Sequence, residues 1–200
     1  MSYNALVINT ASDITEVAVI KGNEKFYKAQ EGKNKTSKVL FPLIDELMNQ
    51  AGLRTEDLDY LGCVVGPGSF TGIRIGVTAV RAMAYAHHIK CVPVTYFDVL
   101  AYNFSGEKIA VVTDAGSGVC YVSANGQQTV MREADALEFC KSNGYTLVTD
   151  KRRLEFEDIR YIDGHLVGAF SQSRDKACDF EQIVPIYLRK PQAERKEGDL

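Results

Sequence analysis

Gly66-Pro67-Gly68-Ser69-Phe70-Thr71-Gly72-Ile73-Arg74-Ile75-Gly76 is the stretch on which the reading of this chain turns. It follows an apolar run, 61–65, that reads as a buried strand, and it leads into 77–84, which reads as a helix. A glycine-rich turn between a strand end and a helix start gathers free backbone N–H groups and attracts anions. The spacing departs from both common phosphate motifs. A Walker A loop ends in Gly-Lys-Ser/Thr, and no lysine lies in the stretch. A dinucleotide fingerprint needs G-x-G-x-x-G, whereas Gly72 comes one position late after Gly66 and Gly68. Two readings stand: a weak anion site, or glycines that let a strand turn sharply into a closely packed helix. The helix itself places Gly72, Gly76, Ala79 and Met83 at helical spacing. Glycine inside a helix costs about 1 kcal/mol relative to alanine, so a packing role is expected for Gly76. Its partner is either a core element of the same chain or a helix of another subunit.

Upstream, 3–8, 15–21 and 25–29 read as three strands, with Gly22-Asn23 as a hairpin turn. Thr36 or Ser37 is placed to cap a helix whose apolar positions are Val39, Leu40, Leu43, Ile44, Leu47, Met48 and Ala51. Gly52 suits the position past its end, and Pro42 predicts a kink or a late start. Downstream, the long helix runs to about His87, followed by a strand at 91–95 and a short helix at 97–103. The second half then begins as the first did. An apolar strand, 109–112, ends in Thr113-Asp114, a short loop leads to 119–123, and Asn125-Gly126 turns the chain into a return strand at 128–131. A helix at 133–142, a strand at 146–149, a helix at 165–174 and an extended tail at 183–188 complete the reading.

The chain therefore reads as an internal duplication of a β-β-β-α-β-α unit: an α/β protein with mixed sheets flanked by helices. The expected division is an N-terminal subdomain at 1–104, carrying the two helices expected to dimerise, and a trimmed C-terminal subdomain at 105–200. The duplicated actin-like (ASKHA), ribonuclease-H-like fold meets this pattern.

Composition limits the function. Hydrophobic residues make up 46% of the 200, enough for a core, and the net charge of −3 does not suit holding nucleic acid alone. The five cysteines are odd in number, without C-x-x-C, and fit a reducing cytosol. No apolar stretch approaches the ~18 residues of a membrane span. Asp13 and Asp114 lie in the loops after the two first strands, where a carboxylate is more often a turn residue than a catalyst. His87 and His88 are adjacent, so on a helix they diverge and do not share a metal; a helix C-terminus is their natural place. No paired carboxylates, metal-ligand spacing or nucleophile elbow appear, so no catalytic residue, metal or cofactor is expected.

The glycine stretch resembles the signature of the TsaB family, also called YeaZ, almost letter for letter. Leu6-Val7-Ile8-Asn9-Thr10-Ala11 resembles the family's opening strand, Ser37–Ile44 its first helix with a proline in the same place, Asp114-Ala115 and Tyr121 its D-A-R…V-Y element, and Pro185–Arg189 its tail. The resemblance covers about 3–124 and the tail; 130–180 match poorly. It implies a non-catalytic, dimerising scaffold in the complex that makes N6-threonylcarbamoyladenosine in tRNA. Such a chain supports a TsaD-like transferase, a paralogue, and through it a TsaE-like ATPase, with tRNA reached only through the complex. It implies a cytoplasmic homodimer in isolation and an interface at Leu40, Leu43, Leu47, the turn residues Gly66, Pro67, Gly68, Ser69, Phe70, Thr71 and Gly72, and Arg74, Gly76, Ala79 and Met83. The family's aspartate at the first strand end is Asn9 here, and the arginine of D-A-R is Gly116; both departures weaken the case for bound nucleotide. The alternative is a small actin-like phosphotransferase or ATPase.

Overall fold

In the computed structural model the described residues are 2–31, 35–104, 106–150, 159–161, 165–190 and 194. They form two compact units. The first comprises Met1–Tyr96 with Leu166–Ile186, and the second Phe97–His165 with Tyr187–Leu200.

The first unit is built on β1 (Asn4–Asn9), β2 (Ile14–Lys21), β3 (Glu24–Glu31), β4 (Tyr60–Gly66) and β5 (Lys90–Thr95), in the order β3-β2-β1-β4-β5. The β1–β2 and β2–β3 pairs are antiparallel, and β1–β4 and β4–β5 are parallel. Helices α1 (Thr36–Ala51) and α2 (Phe70–His87) link the parallel strands, and α5 (Leu166–Gln172) comes from far down the chain. The second unit holds β6 (Ile109–Gly116), β7 (Val119–Ala124), β8 (Gln127–Arg132), β9 (Thr146–Thr149) and β10 (Ile159–Tyr161), with α4 (Glu133–Asn143) joining β8 to β9. Its order, β10-β9-β6-β7-β8, repeats the first sheet strand for strand. The duplication expected from the sequence is therefore present in the topology. Helix α3 (Tyr96–Ala101) crosses the boundary between the units.

Alternation along β4 sets the layers. Gly62 faces Phe170 of α5, so closely that a Cβ there would lie 2.5 Å from the ring. Its neighbour Cys63 points the other way, toward Gly76 of α2. Helix α1 touches α2 and covers β2, so α1 and α2 share one face and α5 takes the other. The core between them contains Leu6, Ile8, Ile20, Leu40, Leu47, Leu61, Ile73 and Phe170, all fully buried. The expected boundary at residue 105 does not match this packing. Leu166–Ile186 belongs to the first unit because the sheet face left open by α1 and α2 is filled by Phe170. A short apolar helix in a poorly patterned region gives no sign in sequence of which sheet it will cover.

Two details of α1 differ from expectation. The residue before its first turn is Lys35, without a side-chain cap, rather than Thr36 or Ser37. Pro42 lies inside one continuous helix; it removes one backbone N–H on the exposed side, where water can take up the freed carbonyl. Gly52 ends the helix in the left-handed conformation, as expected. Lys28 of β3 meets Glu46 of α1 at 2.6 Å, both half-exposed. Glu46→Gln is expected to change the unfolding free energy by less than about 0.5 kcal/mol in urea denaturation, because exposed ion pairs are screened.

Candidate functional site

The glycine turn is the candidate site, and the chain's own backbone fills it. Ser69 caps α2, its hydroxyl accepting from the Gly72 N–H at 3.2 Å. The Ser69 N–H donates to the Ala11 carbonyl at 2.7 Å. The Thr10 hydroxyl donates to the Gly72 carbonyl at 2.8 Å. Thr10 and Ala11 belong to the loop that follows β1, so that loop and the turn interlock. A Cβ on Gly68 would lie 2.1 Å from the Ala11 oxygen, and one on Gly72 would lie 1.9 Å from the Thr10 oxygen. Of the two readings, close packing accounts for the glycines. The Thr10 and Ala11 carbonyl oxygens lie close to the helix start, and their negative ends make the surroundings less favourable to an anion.

The tail closes the other side. The Ile186 N–H donates to the Val65 carbonyl at 2.7 Å, and a Cβ on Gly66 would meet the Ile186 oxygen at 2.4 Å. Gly66 and Gly68 have φ of 126° and 155°, values that side chains disfavour. Phe70 and Arg74 lie one turn apart, with the guanidinium 4.7 Å from the ring centre.

Asn9 has a structural partner. Its side-chain N–H donates to Glu16 at 2.5 Å and its oxygen accepts from the Ala11 N–H. Glu16 also accepts from the Tyr27 hydroxyl at 2.6 Å, and it is only 7% exposed. A carboxylate so buried requires such donors. The sequence reading missed this network; the signal was a lone Glu in the otherwise uncharged run 14–20. Asn9→Asp would set two carboxyl groups against each other. One of them would then have a folded-state pKa raised above its unfolded value. Its contribution is present in acid and lost as pH rises through that raised pKa. The variant is therefore expected to lose about 1–3 kcal/mol at pH 7 and to approach the parent near pH 4, as read by denaturation at both pH values.

In the second unit, Asp114 accepts from the Gly116 N–H at 3.0 Å, the turn role expected for it. Arg189 donates to the carbonyls of Ala115 and Gly116 at 2.7 and 3.2 Å. Tyr121 is buried, and His88 ends α2 in the left-handed conformation after His87. Among the described residues no three His, Cys, Asp or Glu side chains come together as a metal site, and no helix is long and apolar enough to cross a membrane.

The residues expected to form a helix interface divide. Leu40, Leu43 and Leu47 are buried in their own unit, because the 3.6-residue period turns them with Ile44 and Ala51 toward the sheet. Gly72 and Gly76 also face inward; a Cβ on Gly76 would lie 2.4 Å from the Thr10 hydroxyl. Ala79 is buried and Met83 half-buried. Of the expected residues Thr71 and Arg74 are exposed, and beside them the exposed positions include Phe41, Pro42 and Asp45 on α1 and Thr78, Ala82 and Tyr85 on α2. Phe41 is 49% exposed and Tyr85 66%.

Burial pushes several thiols up. Cys63 is raised far above the ordinary range by burial and then by Cys91. Cys91 is pushed up to about 12 by burial and then by Cys178, and Cys140 to about 11 by burial and then by Cys120. Such thiols ionise in the unfolded chain first, so they stabilise the fold below pH 9 and that contribution is lost as pH rises from about 9 toward 12. Native alkylation near pH 8 is expected to label half-exposed Cys178 ahead of Cys63, Cys91, Cys120 and Cys140, as read by peptide mass spectrometry.

Two sheets of the same strand order, each with a helix after its first three strands, and a first-strand loop locked into a glycine turn, define a duplicated actin-like, ribonuclease-H-like protein. A family model described as TsaD, tRNA N6-adenosine threonylcarbamoyltransferase, matches residues 30–146, more than half of the chain. The tRNA threonylcarbamoyladenosine biosynthesis protein TsaB of Bacillus subtilis is 28% identical, over 96% of each chain. That of Haemophilus influenzae is 26% identical over 59% of this chain and 52% of its own. The structure of YeaZ from Pseudomonas aeruginosa superposes with a TM-score of 0.76 at 20% identity, over 94% of this chain and all of the other. The chain belongs to this family, in its TsaB (YeaZ) branch.

Proposed function

We propose that this chain takes part in tRNA threonylcarbamoyladenosine biosynthesis as a non-catalytic scaffold that binds a TsaD-type transferase through the outward face of α1 and α2. The observation that supports the non-catalytic part is the close packing of the Thr10 and Ala11 carbonyls against the glycine turn, which explains its glycines without a ligand. Family membership supports the pathway, and the TsaB relatives bear its name in theirs. Helices α1 and α2 support the contact: they lie side by side and turn Phe41 and Tyr85, large apolar groups, into solvent. In the free protein the same face pairs with a second copy, and a TsaD-type chain with the same duplicated fold replaces it. Glycine-turn and interface residues thus have separate tasks, one setting the angle of α2 and the other meeting the partner. A TsaE-like ATPase and tRNA join through the complex.

Light scattering tests this directly. A dimer alone, converted to a one-to-one complex when a TsaD-type chain is added, is the expected result. A monomer that ignores that chain at micromolar concentration overturns the scaffold reading. Steady-state ATP turnover by the purified chain, abolished by Asp114→Ala, would instead establish the phosphotransferase reading.

A further inference from the structure

Cys91 and Cys178 occupy directly opposed positions. The Cys91 N–H donates to the Cys178 carbonyl at 2.9 Å, and the Cys178 N–H donates to the Cys91 carbonyl at 2.8 Å. This two-bond exchange makes an isolated antiparallel bridge at the free edge of β5. Residues paired in this way have Cα atoms about 5.5 Å apart with side chains on one face of the sheet. That Cα separation falls within the range spanned by disulfides, and the Cβ atoms, about 5.5 Å apart in a hydrogen-bonded pair, must draw together by about 1 Å to close the bond. Both thiols are free in this structure. Cys91 is fully buried, whereas Cys178 is half-exposed, so a small reagent can reach one sulfur of the pair from solvent.

We propose that Cys91 and Cys178 form a reversible cross-strand disulfide that pins the returning segment 166–186 to the first sheet. Apart from the bridge, Lys90 meets Asp179 at 2.7 Å and Tyr85 packs edge-on against Phe180. Around the bridge these are surface contacts, while Phe170 and Ile183 anchor the segment in the core, so the covalent tie constrains its exposed middle part. The two cysteines also bracket residues 97–165, the main part of the second unit. Their linkage closes a ring that contains residues 97–165.

The chemistry balances with a low-molecular-weight disulfide such as glutathione disulfide as oxidant. The Cys178 thiolate attacks one of its sulfurs, the reagent S–S bond breaks, and one glutathione thiolate leaves. The Cys91 thiol, on losing its proton to solvent, attacks the Cys178 sulfur of the mixed disulfide and displaces the second glutathione thiolate. Two protein thiols become one S–S bond, the reagent is reduced by two electrons, and the two protons leave with the two glutathione molecules. Burial and the neighbouring Cys178 hold the Cys91 thiol well above the ordinary range, so the second step is expected to quicken as pH rises.

The test uses the full chain in glutathione buffers of graded redox poise. Samples are quenched in acid, unfolded, alkylated and digested. The expected result is loss of two of the five alkylatable thiols, a single linked peptide pair containing Cys91 and Cys178, and return of both thiols with excess reduced glutathione. Cys178→Ser should keep all its remaining thiols, while Cys140→Ser should still lose two. The oxidised parent should also unfold at a urea concentration about 1 M or more above the reduced form. Five intact thiols across the series would overturn the proposal. So would Cys178 held only as a glutathione adduct, or a linkage between any other pair.

Discussion

Gly72→Ala is expected to cost at least about 3 kcal/mol of stability, or to leave the protein unfolded. Helix propensity alone gives the opposite sign: alanine in place of a helical glycine stabilises by up to about 1 kcal/mol. Packing decides because the added Cβ would lie 1.9 Å from the Thr10 carbonyl oxygen, a backbone atom that cannot swing away. Relief requires α2 to move off the β1–β2 loop, which breaks the Thr10 hydroxyl bond to Gly72 and strains the Ser69 bond to Ala11. Thr71→Ala, on the exposed side of the same turn, is the control and should stay within about 0.5 kcal/mol of the parent. Circular dichroism and urea midpoints of the two variants make the comparison. A Gly72→Ala protein as stable as the parent would show that the loop and the turn are not locked as described.

Phe41→Asp combined with Tyr85→Asp is expected to weaken association by at least 100-fold, about 2.7 kcal/mol, with no loss of fold. Both side chains are largely in solvent, and the ring contact given up, that of Tyr85 with Phe180, lies at the surface, so the core is left intact. If the proposed contact is used, each is an apolar anchor that a carboxylate would have to desolvate. Leu43→Asp is the contrasting variant. Leu43 is 2% exposed, so its loss should appear as unfolding before any loss of binding. Light scattering separates the two results. A folded double variant that still dimerises and still binds a TsaD-type chain would move the interface elsewhere on the molecule.

These variants show where sequence reasoning was sufficient and where it stopped. The hairpins at Gly22-Asn23 and Asn125-Gly126, the strand before Gly66 and the two long helices were legible, because turn residues and periodicity are local properties. The matching order of elements in the two halves made the duplication legible too. The glycine stretch marked a special turn, but its residues admit both an anion and a neighbouring backbone. Only the position of Thr10 and Ala11, about 60 residues earlier in the chain, decides between them.

The same limit explains the interface residues. Leu40, Leu43 and Leu47 carry an apolar stripe that the sequence shows plainly, but a stripe does not say whether it meets the protein's own sheet or another subunit. The structure gives that stripe to β2 and leaves Phe41 outside. Likewise, Asn9 reads as a lost charge until Glu16 and Tyr27 are seen beside it, and Cys178 reads as a stray thiol until the chain returns to β5. By itself the sequence determined most of the elements, the repeated opening of the two halves and the family, but not strand β10, which lies in a stretch without clear pattern. Tertiary structure alone decided what fills the glycine turn, where Leu166–Ile186 packs and which helix residues face out. Those outcomes depend on contacts between segments far apart in the chain, for which local pattern carries no energy term.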